Sequence, residues 1–160
     1  MGEDQMAHAG LVQLKVHGVV PDPNTDTQIV ILRDEQNAEI LPIWVGAAEG
    51  TAIKFALDGN EPQRPMSHDL MRSVAGHLNI KVTRAVVTDV KSNTYFATLY
   101  LDARGVERAV DARPSDAIAL ALRMRSPIFA TREVLKQRGG GNLDAWLDKF
   151  EAKNSEQHEA

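Results

Sequence analysis

The stretch VDARPSDAIALALRMRSPIFA, residues 110–130, predicts a strand, a helix and a second short strand. Pro114 lies where a helix takes its first residue, because its ring fixes a helical φ and the N–H that it lacks needs no partner there. Alanines and leucines continue the helix to about Arg125. Ser126-Pro127 ends it, because the residue before a proline avoids the helical conformation. SPIFA is then typical of a short strand.

Three strands are predicted before residue 46. Residues 12–16 alternate apolar and polar side chains, which is the period of a half-buried strand. The turn-forming segment PDPNTDT, residues 21–27, separates this strand from QIVILRD, and AEILPIWVG supplies the third. Pro42 cannot donate a hydrogen bond to a neighbouring strand, so the third strand is predicted to lie at a sheet edge or to carry a bulge.

Two helices are predicted to follow these strands. The first begins after Gly46 and ends at Gly59, a residue type suited to the left-handed conformation past a helix. Its apolar side consists of Ala52, Ile53, Ala56 and Leu57. The second begins at Ser67, a common helix-capping residue. Its apolar stripe, typical of a helix that packs on the core, consists of Leu70, Met71, Val74, Ala75 and Leu78.

A second set of three strands leads back to residue 110. In the first of these strands, four apolar residues are in phase at period two: Ile80, Val82, Val86 and Val90. Four aromatic residues lie at strand positions where core packing is expected: Trp44, Tyr95, Phe96 and Tyr100. Runs of strands followed by helices predict an α+β fold, in which antiparallel or mixed meanders pack against helices in a single compact domain.

Length and composition are those of an ordinary globular domain. The chain has 160 residues, 43% of them hydrophobic and 25% charged, and no apolar run approaches the roughly 20 residues that span a bilayer. We therefore expect no membrane partner. The first residues lack the pattern of a signal peptide and the chain has no cysteine, which predicts a cytoplasmic location. Without cysteine and with scattered histidines, no zinc, haem or iron–sulfur centre is expected.

Charge and composition divide the chain into three predicted segments. Residues 1–10 are expected to form a disordered acidic tail, residues 11–138 the folded domain, and residues 139–160 a glycine-rich joint, a short amphipathic helix and a polar tail. The net charge is −4, but residues 104–138 carry eight basic and four acidic side chains. This excess favours a basic face for nucleic acid. Arginines scattered over a solvated surface explain it equally well.

The first of three polar clusters at predicted helix starts contains Glu49. This residue shares the inward side of its helix with Ala52 and Ile53, so its carboxylate must be paired or lie at the rim of a cleft. The alternative is a first-turn acid favoured by the helix dipole.

The second cluster is RPMSHDLM, residues 64–71, which brings Arg64, His68 and Asp69 close together. Arginine suits phosphate, and histidine suits proton transfer near neutral pH. Helix capping and surface exposure are the alternatives.

The third cluster lies in the opening stretch and contains Asp111, Arg113, Ser115 and Asp116. Helix initiation explains the serine and the second aspartate. Arg113 is not explained in this way, because a cation at a helix N-terminus meets an unfavourable dipole. We therefore predict that Arg113 is paired with a neighbouring carboxylate, and that it is a functional candidate if this pairing leaves donors free.

Together these segments resemble the bifunctional nuclease domain family. The resemblance covers roughly residues 11–136 and rests on LPIWVGAAEGTAIKFAL, RPMSHDLM, TYFATLYLD and VDARPSDAIALALRMRSPIFA. It implies a compact α+β fold, assembly as a homo-oligomer, with a dimer favoured, and activity on DNA and RNA. Its polar matches are Glu49, Arg64, His68, Asp69, Asp111, Arg113, Ser115 and Asp116. Gly50 stands where the family pattern usually has alanine, a mild departure.

The first functional hypothesis is therefore a nuclease. His68 would be the catalytic base, Asp69 or Glu49 would orient it, and Arg113 and Arg64 would bind the phosphate, with Asp111, Ser115 and Asp116 as further substrate-binding candidates. Alternatively, Glu49, Asp69 and Asp116 would hold magnesium or manganese. The second hypothesis is a non-catalytic, oligomeric module that binds an anion or a partner. It agrees with the acidic net charge and with few aromatic residues for base stacking.

Overall fold

The computed structural model describes residues 10–36 and 39–138 of the chain. Apart from Gly10, the two predicted end segments lie outside the described residues, and the three-part division of the chain stays a prediction. The elements in chain order are β1 (Leu11–Pro21), β2 (Gln28–Arg33), β3 (Ile40–Val45), α1 (Ala47–Asp58), α2 (Ser67–His77), β4 (Ile80–Lys91), β5 (Thr94–Ala103), β6 (Val106–Ala112), α3 (Pro114–Met124), β7 (Ile128–Thr131) and α4 (Arg132–Arg138).

The strands form one mixed sheet in the order β3-β2-β1-β7-β4-β5-β6. Its two antiparallel meanders, β1 to β3 and β4 to β6, are joined by the short strand β7. In β7, Ile128 lies opposite Leu14 of β1 in antiparallel pairing and opposite Ala85 of β4 in parallel pairing. The predicted α+β fold is confirmed, and β3, the strand that contains Pro42, is an edge strand as predicted.

Helix α3 is buried along most of its length. Pro114 is its first residue, as predicted, and residues 117–121 are each at most 7% exposed. Three of those residues are alanines, whose small side chains allow neighbouring elements to approach closely. The helix contacts α1, α2, β4 and β5. It therefore fixes where the first turns of α1 and α2 lie.

Helix α2 differs from the prediction in orientation. Its N-cap is Met66, and Ser67 is its first helical residue. Most of its predicted core stripe is exposed, by 57% at Leu70, 45% at Met71, 49% at Val74 and 55% at Leu78. The reason is that the polar first turn of α2, with the buried His68, lies against α3. The stripe prediction was right about amphipathicity and wrong about the side that meets the core.

Strand β4 does not keep the uninterrupted period of two that was predicted for its apolar residues. Its pairing with β5 shifts between Val82 and Arg84 and again between Val87 and Asp89. Each bulge changes which side chains face the helices, because the side-chain period of a strand is two. As a result Val82, Ala85 and Val87 join the main core cluster, whereas Val86 does not.

Two of the four aromatic residues expected in the core lie at the surface. Trp44 is 49% exposed and donates a hydrogen bond from Nε1 to Oδ2 of Asp22, and Phe96 is 39% exposed. Tyr95 packs against the main core as expected. On α1, Ala52 and Ile53 are buried, whereas Leu57 is 36% exposed. In the part of the chain that the structure describes, no helix has the length and apolar character to cross a membrane.

Candidate active site

Four of the predicted site residues meet where the first turns of three helices converge. Glu49 lies in the first turn of α1, His68 in that of α2 and Asp116 in that of α3, where Arg113 is the N-cap residue. We call these four residues the convergence cluster. The packing of α3 against both α1 and α2 brings them together.

Arg113 is the centre of the convergence cluster. Its Nε donates to Oδ2 of Asp116 at 2.9 Å, its Nη2 donates to Oδ1 of Asp116 at 3.2 Å, and its Nη1 donates to Oε1 of Glu49 at 3.3 Å. The hydrogen bonds and charge of Asp116, and then those of Glu49, raise the pKa of Arg113. The side chain is nevertheless 63% exposed. A guanidinium has five N–H donors, so both terminal nitrogens keep a donor for a ligand.

His68 is the buried member of the cluster. Its side chain is 10% exposed, and Nε2 lies 2.9 Å from Oδ1 of Asp116. An ionised carboxylate only accepts hydrogen bonds, so Nε2 carries the proton in the neutral ring and Nδ1 is the acceptor. No residue in 10–36 or 39–138 forms a hydrogen bond with Nδ1. This nitrogen is therefore the one with capacity to accept a proton.

Asp116 links the histidine to the arginine. Partial burial by itself would raise the pKa of this carboxyl, but the hydrogen bonds from Arg113 and His68, and then their charges, outweigh it. The pKa of Asp116 is thereby lowered, and the group is ionised at neutral pH. Asp116 can consequently hold His68 in one tautomer.

Two glycines next to Glu49 allow close approaches, one to the Glu49 side chain and one between α1 and β2. A Cβ on Gly46 would collide with Oε2 of Glu49, so this carboxylate folds back over the start of its own helix. Gly50 is buried, and a Cβ there would lie 2.7 Å from Cβ of Gln28 on β2. The departure from the alanine of the family pattern therefore fits the close packing of α1 on β2.

Asp69, expected beside His68, is paired elsewhere. Its Oδ1 accepts from Nε of Arg123 at 2.7 Å, and its Oδ2 accepts from the backbone N–H of Met66 at 2.9 Å. Partial burial would raise the pKa of Asp69, but these bonds and the charges of Arg123 and Arg72 lower it. The carboxylate that contacts His68 is thus Asp116, and the expectation that Asp69 or Glu49 orients the imidazole is corrected.

Arg123 was missing from the sequence-based candidates. Its side chain is only 4% exposed, and its Nη1 donates to the carbonyl of Ala119 at 3.0 Å. One signal was present, since residues 116 and 123 are seven apart and therefore lie on one side of a helix. If residue 116 contacts α2, residue 123, which lies two turns further along the same side of α3, is expected to contact α2 as well.

The other predicted site residues lie outside the convergence cluster. Arg64 is exposed in the loop before α2, and Asp111 is exposed on β6, opposite Thr98 of β5. Ser115 is 7% exposed in the first turn of α3. Among the described residues, none of these three forms a hydrogen bond or ion pair with the convergence cluster.

The predicted metal-binding set is not assembled. In the described part of the chain, no three histidine, aspartate or glutamate side chains are grouped so that they could hold a metal ion. The guanidinium of Arg113 lies between the carboxylates of Glu49 and Asp116, and Asp69 is bound to Arg123. Two arginines thus compensate the three carboxylates that were predicted to hold magnesium or manganese.

Comparison with known proteins identifies a family and several relatives. Residues 30–141 match the model of the bifunctional nuclease domain. An uncharacterized protein of Mycobacterium tuberculosis strain H37Rv is 35% identical over 127 residues, which cover 79% of this chain and 76% of that protein. Bifunctional nuclease 2 of Arabidopsis thaliana is 28% identical over 131 residues, 80% of this chain and 40% of that protein. The bifunctional nuclease of Oryza minuta is 26% identical over 114 residues, 69% of this chain and 34% of that protein.

Proposed function

Because the chain belongs to the bifunctional nuclease domain family, we propose that it hydrolyses phosphodiester bonds of DNA and RNA at the convergence cluster. The observation that carries this proposal is the contact of His68 with Asp116, beside an exposed Arg113 that keeps donors free. A base, an orienting carboxylate and a phosphate-binding cation supply three of the roles that this hydrolysis needs, and the leaving oxygen takes its proton from solvent water.

His68 is proposed as the base that activates water. Oδ1 of Asp116 accepts a hydrogen bond from the Nε2–H of His68 and fixes the ring, so that Nδ1 takes a proton from the attacking water. The positive charge that forms on the ring is stabilised by the ionised Asp116. Asp116, predicted as a substrate-binding residue, thereby receives the orienting role first considered for Asp69 or Glu49.

Arg113 is proposed to bind the phosphate that is attacked. Its two remaining N–H donors suit non-bridging phosphate oxygens, and a fixed cation there stabilises the negative charge of the transition state. Glu49 holds the guanidinium from its other side. Asp69 positions α2 through Arg123, while Arg64, Ser115 and Asp111 remain proposed substrate contacts at the margin of the site.

The direct test is cleavage of labelled single- and double-stranded DNA and RNA, each with magnesium, manganese or EDTA. We expect the wild-type protein to cleave and the Glu49→Ala, His68→Ala double variant to lose at least a hundredfold in rate, in the range of general acid–base catalysis. His77→Ala is the matched control, because it removes an exposed histidine from the same helix. Cleavage that persists in the double variant would contradict the site, and the EDTA arm decides metal dependence.

The second candidate function is a non-catalytic oligomeric module. The exposed apolar side of α2 favours the oligomeric part of this reading, because large apolar patches on a surface mark interaction sites. The same surface supports assembly of the proposed nuclease as a homodimer. A lack of cleavage by the wild-type protein, together with a dimeric mass in solution, is the outcome expected of the module. A cytoplasmic location is part of the proposal, supported by the cysteine-free composition.

A further inference from the structure

A cleft of about 490 Å³ lies beside the convergence cluster, between the end of α1, the loop 59–65, α2 and the end of α3. Arg72, Arg123 and Arg125 line it together with the acids Glu61 and Asp69. The charge of Asp69 is already compensated by Arg123. Since Arg72 and Arg125 are both exposed, the cleft offers their guanidinium groups to an anion from solution.

Arg123 supplies a donor from the wall of the cleft. Its Nε is bound to Asp69 and its Nη1 to the carbonyl of Ala119, while no residue in the described ranges accepts a hydrogen bond from Nη2. Nη2 belongs to a residue that lines the cleft and is not a buried atom without a partner, so it can donate to an acceptor atom of a ligand there.

The remaining wall combines apolar surfaces with amide groups. Phe55, Pro62, Pro65 and Leu122 provide apolar area, and Asn60 and Gln63 provide donors and acceptors. A flat heterocycle with polar edges and an attached phosphate matches this lining better than a free inorganic anion does. The base of a nucleotide is such a group, and it must be unpaired to enter a cleft.

The cleft and the convergence cluster are connected through two helices. On α2, His68 belongs to the cluster and the next residue, Asp69, lines the cleft. On α3, Asp116 and Arg123 are two turns apart, which is roughly 10 Å along the helix. A strand stacked as in the B-form advances about 3.4 Å per nucleotide, and an unstacked strand advances further. The cleft therefore lies at most about three nucleotides from the cluster.

We infer that this cleft binds a base and phosphate of single-stranded DNA or RNA at most about three nucleotides from the bond that is cleaved. The inference rests on the proposed nuclease function for its position along the substrate. It adds a substrate preference, because a paired base cannot enter the cleft. A strand with an unpaired region across the site is consequently bound more tightly than a continuous duplex.

Binding of a fluorescein-labelled ten-nucleotide thymidine strand, followed by anisotropy at several salt concentrations, tests the inference without needing cleavage. We expect the Arg72→Gln, Arg125→Gln variant to bind it at least tenfold more weakly than wild type. For the loss of the one phosphate that the cleft binds, the slope of log K against log salt should become shallower by about 0.7. The control is Arg104→Gln, Arg108→Gln, which also removes two exposed arginines, and Arg104 shares the φ of 55° found at Arg125.

Equal affinity and equal slope for wild type and the Arg72, Arg125 variant would overturn the inference. Duplex binding as tight as single-strand binding, or no binding of the strand by wild type at low salt, would also overturn it. Hydrolysis of bis(p-nitrophenyl) phosphate, which is too small to reach the cleft, separates the two proposals. We expect it to be lost in His68→Ala and kept in the Arg72, Arg125 variant.

Discussion

Arg113 and Arg123 lie at opposite ends of α3 and both are paired with carboxylates, but one is exposed and the other is buried. Arg123 is 4% exposed and its partner Asp69 is 17% exposed, whereas Arg113 is 63% exposed and its partners are close to 30% exposed. The buried pair of Arg123 and Asp69 holds α2 against α3. The exposed pair leaves donors in solvent, where a ligand can reach them.

We therefore expect the exposure of an arginine, more than the presence of a carboxylate partner, to separate a pair that only stabilises the fold from a pair that can bind a ligand. A buried pair loses several kcal/mol when one partner is removed, because the other charge is left without compensation. An exposed pair contributes roughly 0–1 kcal/mol to stability, since water replaces the partner. The following predictions test this contrast.

The largest effect is expected when the buried pair is broken. Asp69→Ala leaves the Arg123 guanidinium buried without its carboxylate, and we expect the free energy of unfolding to fall by about 3–5 kcal/mol. Glu49→Ala breaks the exposed pair with Arg113, and we expect a loss below about 1 kcal/mol. Urea denaturation of both variants measures the difference. Equal losses would show that exposure does not distinguish the two pairs.

A smaller effect, on activity, is expected from Asp116→Asn. The amide no longer provides a negative charge for His68 and Arg113, so we expect kcat to fall about a hundredfold, equivalent to about 2.7 kcal/mol. Circular dichroism should stay unchanged, because the amide keeps the volume of the carboxyl. Asp26→Asn is the matched control, since this exposed aspartate lies in the turn before β2 and has no proposed role in the site. A normal kcat in Asp116→Asn would remove His68 and Asp116 from the proposed mechanism.

The free energy of unfolding should depend on pH through the carboxyl groups of Asp69 and Asp116. The pKa values of Asp69 and Asp116 are lowered in the folded protein, so in acid the unfolded chain binds more protons than the folded one. Their contribution is therefore fully present above the unfolded pKa of about 3.9 and is lost as the pH falls through the lower folded values. Urea unfolding between neutral pH and strong acid should give a flatter profile for Asp116→Asn than for wild type. A profile for that variant as steep as that of wild type would contradict the assignment.

The smallest effect is expected from Gly46→Ala. The backbone angles of Gly46, φ −66° and ψ 164°, suit alanine, but the new methyl group displaces the Glu49 carboxylate. We expect a severalfold decrease in kcat/KM with little loss of stability, because Arg113 is then held by Asp116 alone. The same substitution in a Glu49→Ala background should have no further effect on kcat/KM. A full additional effect there would show that Gly46 acts independently of Glu49.

Much of the local structure was predictable from particular residues. Pro114 marked the start of α3, Gly59 marked the end of α1, and Pro42 placed β3 at an edge. The convergence cluster was predictable as three separate helix starts, because polar residues gather there to meet free backbone groups. The two bulges of β4 were not predictable, since an alternating apolar pattern does not show where a partner strand slips by one residue.

The secondary-structure elements, the α+β class and the residue types at each helix start could be predicted from the amino-acid sequence alone. These features depend on short-range causes such as the fixed φ of proline and the period of apolar side chains. Three pairs became visible only in the folded domain. His68 pairs with Asp116, 48 residues away, Glu49 with Arg113 across 64 residues, and Asp69 with Arg123 across 54. The physical reason is that these pairs depend on how α1 and α2 are rotated against α3, which the packing of the whole domain sets.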